Sequence, residues 1–190
     1  MGFELNEISA NSKGGTELMR AGLEERLDPE LLENFQIICS RVRKIEEDKI
    51  RVYWLHDLPE DPETNHLKGS ASRDRFHKLV FCGNWQYNRY RDYLGIPHDD
   101  SGIVLETAIT PFPADELFKP KETIRLAYTS TPQRGLDLLV PVFIELCKKH
   151  DNIELDVFSS FNIYGWGESD KPFEKLFDQC REHPKICLLY

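Results

Sequence analysis

Short runs rich in β-branched, aromatic and aliphatic residues alternate along this chain with stretches whose apolar residues recur every three or four positions. That alternation restricts the fold more than any other feature, because strand and helix in regular succession build a parallel sheet with right-handed crossovers. Phe35–Cys39, Arg51–His56, His77–Cys82 and Gly102–Ile109 read as strands in the first part of the chain, and Thr123–Thr129, Ile153–Phe158 and Ile186–Tyr190 in the last. The helical period predicts a helix over Thr16–Leu27, with Thr16 or Gly15 as its cap and Leu18, Met19, Gly22, Leu23 and Leu27 near one face. It predicts further helices over Trp85–Leu94, with Trp85, Tyr90 and Leu94 in register, and over Leu136–His150 and Phe173–His183. Asp28-Pro29 and Gly95-Ile-Pro97 act as stops, and a polar connector separates Cys39 from Arg51.

The expected fold class is therefore α/β, with a Rossmann-like N-terminal domain over 1–112 and a Pro-rich hinge over 113–122, where the composition shifts to Pro111-Phe-Pro113 and Phe118-Lys-Pro120. The stretch 123–190 repeats the strand-helix rhythm as the first part of a second Rossmann-like domain. It is expected to be incomplete, since domains usually run to roughly 100 to 150 residues. An edge strand left bare by such a short sheet is most simply covered by a second copy, which makes a homodimer the expected self-association.

Composition narrows the function classes. With 40% apolar and 30% charged residues among 190, the chain carries enough apolar mass for a core and is not of disordered type. A formal charge of −9 opposes a phosphate backbone, so nucleic acid is not expected as a partner. The five cysteines are odd in number and form no CxxC pair, which reads as a reduced, cytoplasmic protein. There is no apolar signal core at the start, no stretch of membrane-spanning length, and no metal-ligand spacing among the six histidines.

Four stretches carry candidate chemistry. In Lys13-Gly14-Gly15-Thr16-Glu17, two glycines at a helix start either let backbone amides approach a phosphate or sugar closely, or form a plain loop with a cap. Tyr128-Thr-Ser130-Thr-Pro-Gln-Arg134-Gly135 ends a strand in small hydroxyl residues and opens an apolar helix. It is either a diphosphate crevice or a Ser/Thr turn beside a solvated arginine. His56 ends a strand at the same rim, where it can hydrogen-bond a substrate with Asp57 fixing its tautomer, or serve as a polar strand end. Phe158-Ser-Ser-Phe-Asn-Ile-Tyr-Gly-Trp-Gly either packs between the two domains or lines a base or sugar pocket.

Taken together, Gly14-Gly15-Thr16-Glu17, Trp54-Leu-His56-Asp57, Leu79-Val-Phe-Cys-Gly-Asn-Trp85-Gln, Gly95-Ile-Pro97 and Tyr128-Thr-Ser-Thr-Pro132-Gln-Arg134-Gly-Leu-Asp-Leu-Leu139 resemble the GT-B glycosyltransferases. The likeness is to the retaining enzymes that use nucleotide-sugar donors, in their phage, viral and bacterial branch with a Thr-Pro-x-Arg-Gly-Leu run. The resemblance implies two Rossmann-like domains facing a cleft, no required metal or cofactor, a nucleotide-sugar as donor and a glycan, lipid or protein acceptor. It assigns His56 to the transferred sugar and Gly14, Gly15 and Arg134 to the donor diphosphate, with Thr16, Asp57, Ser130 and Gly135 in support. Where many relatives carry an Arg a few residues before the basic residue and its Gly, this chain has Thr129, and Thr107-Ala108 stands in place of a common Asn-Gly. Relatives also continue into a segment whose paired glutamates hold ribose and sugar. Two function classes follow: hexosyl transfer with retention, and a non-catalytic α/β fragment that binds or self-associates.

Overall fold

Every strand-type run becomes a strand, and all pairings are parallel. The computed structural model describes residues 12–99, 101–109, 111, 113 and 122–189. The polar opening around Met1–Glu7, nearly all of the expected hinge 113–122, and Tyr190 lie outside the described residues. The chain divides into two compact units, Met1–Thr110 and Pro111–Tyr190.

In the first unit, α1 (Gly15–Arg26) and the short α2 (Pro29–Leu32) lead into β1 (Phe35–Cys39) and β2 (Ile50–Leu55). A 3-10 segment over Pro62–Lys68 and the single turn α3 (Ser70–Arg73) precede β3 (Lys78–Phe81), and α4 (Asn84–Leu94) precedes β4 (Gly102–Val104). The sheet order is β1-β2-β3-β4. β4 stops at Val104, well short of the expected Ile109, with the residues beyond it solvent-exposed. The cap of α1 is Gly14 in extended conformation, with no side-chain bond, and neither Thr16 nor Gly15 serves. α2 is capped as its sequence suggests: Asp28 accepts from the Glu30 amide at 2.9 Å and Pro29 takes the first helical position.

Alternation along the strands sends side chains to two apolar layers. Ile38, Tyr53, Leu55, Leu79 and Phe81 pack with Leu67, Phe76, Tyr87, Tyr90 and Leu94 on one face. Ile37, Trp54 and Val80 meet Leu32, Met19, Leu23 and Leu27 on the other. Both faces are covered, as a parallel sheet requires. Two side chains fall off the expected helix faces. Leu18 is exposed, and so is Trp85, because the buried stripe of α4 runs through Gln86, Tyr87, Tyr90 and Leu94. The polar connector from β1 to β2 has no helix and is held instead by Gln36, whose buried amide donates to the Lys44 carbonyl and accepts from the Glu46 amide, each at 2.9 Å.

The second unit is β5 (Ile124–Thr129), α5 (Leu136–Cys147), β6 (Ile153–Phe158), α6 (Glu174–Glu182) and β7 (Ile186–Leu189), in sheet order β5-β6-β7. Among the described residues its core lies on one face: Ile153, Leu155, Val157 and Ile186 pack against Leu136, Val140, Phe143, Phe177 and Cys180 of the two helices. The opposite face carries Arg125, whose guanidinium donates to Glu154 at 2.6 Å and lies 3.8 Å from Asp156. Among the described strands β5 is an edge, with Ile124 and Leu126 exposed. The fold class is thus α/β, Rossmann-like in the first unit and of the same winding in the second. Among the described residues no helix is long and apolar enough to cross a membrane.

Candidate functional site

In a parallel sheet all carboxyl ends lie on one rim, and ligands of open α/β folds bind there. The first unit brings Ser40, His56, Asp57, Cys82 and Gly83 to that rim, directly after β1, β2 and β3. His56 leans on Trp54, ring centroids 4.5 Å apart and nearly perpendicular. Neither of its ring nitrogens has a hydrogen-bond partner, although both are buried. Burial lowers the imidazole from 6.5 to about 4, against the opposing pull of the Glu17 carboxylate on the first turn of α1. At neutral pH the ring therefore offers one donor and one acceptor and no charge.

The bond expected from Asp57 to His56 is not formed. Asp57 contributes its carbonyl instead, which accepts from Gln86 Nε2 at 2.9 Å and from the Tyr90 hydroxyl at 3.1 Å. Gln86 is the clamp of the rim: Nε2 also donates to the Leu55 carbonyl at 3.1 Å, and Oε1 accepts from the Cys82 amide at 2.6 Å. One buried side chain of α4 thereby ties the ends of β2 and β3 around His56. Burial pushes the Cys82 thiol up, while the Trp54 indole works against that shift. The thiol hydrogen-bonds the Leu55 carbonyl at 3.2 Å.

A titration consequence follows for His56. Between pH 6.5 and about 4 the unfolded chain binds a proton at this position that the folded chain refuses, so stability falls as pH falls through that window. The loss is on the order of 3 kcal/mol across it. Urea unfolding at pH 7 and pH 4.5 should give a smaller acid loss for His56→Gln than for the wild type. Equal losses would place the ring in water.

Ser40 was not singled out by its sequence, and only the Cys-Ser-Arg ending of a strand hints at it. It is the one non-glycine among the described residues with φ in the left-handed region, at 61°, a conformation that costs a side chain about 1–2 kcal/mol. Its N–H donates to the Trp54 carbonyl at 2.9 Å, its carbonyl accepts from the buried Tyr53 hydroxyl at 2.8 Å, and a tight turn closes around it from the Arg41 amide to the Cys39 carbonyl at 2.7 Å. The Ser40 side-chain oxygen, however, is buried without a partner.

At the start of α1, Gly14 is buried, while a Cβ placed on Gly15 would meet nothing within 4 Å. Thr16 lies partly buried beside them, and Glu17 brings a carboxylate to the same turn. In the second unit, Thr129 ends β5, Ser130 and buried Thr131 follow, and a 3-10 turn over Pro132–Arg134 leads to Gly135 at φ 96°, which caps α5. A left-handed residue is needed to turn the chain into the helix, and glycine adopts it without strain. The Thr131 carbonyl accepts from the Tyr128 hydroxyl at 2.9 Å. Arg134 is exposed and forms no ion pair with a described residue. Ser159, at the carboxyl end of β6, has a buried hydroxyl without a partner. The aromatic loop behind it keeps Phe158 and Trp166 exposed, while Ser160 and the Phe161 amide bind Asp170 at 2.5 and 2.9 Å. Among the described residues no cluster of His, Cys, Asp and Glu is arranged to hold a metal ion.

No protein-family model matches the sequence. No curated protein matches it. Among solved structures, the crystal structure of TarM is similar at a TM-score of 0.46 and 12% identity, over 93% of this chain and 36% of TarM. The chain thus spans about a third of TarM's length.

Proposed function

We propose that the chain belongs to a GT-B type retaining glycosyltransferase that moves a hexose from a nucleoside-diphosphate sugar to an acceptor. The reading is carried by the start of α5, where Ser130 and Thr131 follow the strand end at Thr129 and lead to Arg134, which has no ion pair with a described residue, and to a left-handed glycine at a helix N-terminus. Departure of a nucleoside diphosphate develops negative charge, which a fixed guanidinium and helix-start amides stabilise. Ser159 adds a free hydroxyl on the same rim of the second sheet. The first unit, taken by itself, offers the Gly14 and Gly15 amides at the start of α1 to a phosphate and neutral His56 to a sugar hydroxyl. A second reading, a non-catalytic module that binds or self-associates, is favoured by the exposed β5 edge.

Thermal-shift titration with UDP, GDP and ADP separates the two. A ligand at about 100 times its dissociation constant stabilises the fold by roughly 2.7 kcal/mol, which is readily seen as a raised Tm. Arg134→Ala is expected to weaken the bound nucleotide by roughly 1.5–3 kcal/mol, the worth of a charge-assisted bond. Unchanged affinity in that variant would remove Arg134 from the phosphate site, and no shift with any nucleotide would favour the non-catalytic module.

A further inference from the structure

We propose that the first unit holds an oxyanion site on Arg41 and Arg43, which takes a phosphate group carried by the acceptor; the acceptor's part in this rests on the glycosyltransferase reading. The sequence runs Arg41-Val-Arg-Lys44 just past the end of β1. Val42 and Ile45 pack on the core cluster, and buried Gln36 holds the Lys44 carbonyl and the Glu46 amide, so this stretch of backbone is fixed without help from its charges. The arginines on either side of Val42 turn to one carboxylate, that of Glu63 on the 3-10 segment. Arg43 Nη1 donates to its Oε2 at 3.2 Å, while Arg41 Nη1 lies 3.8 Å from its Oε1, too far for a hydrogen bond. Each arginine side chain keeps a third of its surface exposed.

One carboxylate does not neutralise two guanidinium groups, and ion pairs at such exposure contribute only about 0–1 kcal/mol to folding. The cluster therefore presents two donor forks gathered at a single carboxylate, and Arg41 forms no side-chain hydrogen bond with a described residue. Guanidinium forks match the oxygens of a phosphate, whose charge exceeds that of the one carboxylate already there. On a chain of net charge −9 a phosphate is received only where cations are gathered locally, as they are here. Cys39 pairs with Trp54, so the site follows the strand beside the one that leads to His56. Acceptor phosphate and reacting hydroxyl are received on the same rim.

The test follows the Nε–H signals of Arg41 and Arg43 by heteronuclear NMR in the full chain, at constant ionic strength, during titration with inorganic phosphate, glucose 6-phosphate and UDP. Both signals should move saturably with phosphate and with glucose 6-phosphate. Arg41→Gln should weaken that binding about tenfold, the worth of one charge-assisted bond, and keep the wild-type melting temperature. Arg89→Gln, which breaks an exposed pair with Glu60 elsewhere in the unit, should bind within twofold of wild type. No saturable movement, wild-type affinity in Arg41→Gln, a fall in its melting temperature alongside lost binding, or an equal loss in Arg89→Gln overturns the site; the nucleotide titration of Arg134→Ala then still decides the glycosyltransferase reading. UDP that occupies the two arginines more tightly than glucose 6-phosphate assigns them to the donor diphosphate and overturns the acceptor role. Phosphate binding by a wild type that binds no nucleotide keeps the oxyanion site and takes down its acceptor role together with the reading.

Discussion

Phe143→Ala is expected to unfold the second unit and leave the first one folded. Phe143 has no exposed surface and stands at the centre of the only apolar cluster described for β5 to β7, among Val140, Leu155, Val157 and Phe177, with its ring edge-on to His183 at 6.2 Å. Truncating a buried phenylalanine costs roughly 3–5 kcal/mol through lost transfer energy and the cavity left behind. A unit whose described residues form three strands, two helices and one apolar cluster has little surplus to absorb that, given total stabilities of about 5–15 kcal/mol for whole proteins. Hydrogen exchange resolves the outcome by segment. Amides of β6 should lose protection in the variant while those of β2 keep theirs. Loss in both sheets together would mean that the two cores melt as one cooperative body.

Gln86→Leu should destabilise the first unit by roughly 3–5 kcal/mol, because the apolar replacement fills similar space and abandons three backbone groups at about 1–3 kcal/mol each. The Cys82 amide loses its acceptor outright. Leu55 keeps only the weak thiol donor of Cys82, and Asp57 keeps the Tyr90 hydroxyl. The effect should reach His56, which lies between the two clamped carbonyls. With the clamp gone its ring gains water, and its pKa should climb from about 4 back toward 6.5. Urea unfolding reads the first effect, and NMR titration of the His56 ring the second. A variant with normal stability and an unmoved His56 would show that the rim is held by the strands alone.

The strand positions were legible because apolar runs and their polar flanks report a buried sheet directly, and Ile153–Phe158 alternated as a half-covered strand does. Less legible were the faces of the helices. Trp85 shared a helical period with Tyr90 and Leu94, yet the neighbouring Gln86 and Tyr87 point inward, because a glutamine can be buried once backbone groups satisfy it. The site divides in the same way. His56 sits at a strand end and Arg134 just before a helix start, boundaries that sequence period can locate. Ser40 owes its interest to a backbone angle and an unpaired oxygen, neither of which a serine in a sequence announces. The absent Asp57 to His56 bond is a matter of side-chain placement, which adjacency in a sequence does not report.

The edge strand of the second sheet has a colloidal side. Ile124–Thr129 reads Ile-Arg-Leu-Ala-Tyr-Thr, six residues of strand-forming character with no proline, no glycine and a single charge. Segments of that length and make-up stack into steric zippers when nothing interrupts them. Arg125 interrupts this one: two Glu154 contacts hold it on the face opposite the apolar cluster, where copies stacked in register would bring like charges together. Within these six residues one guanidinium is the only charge that opposes such stacking.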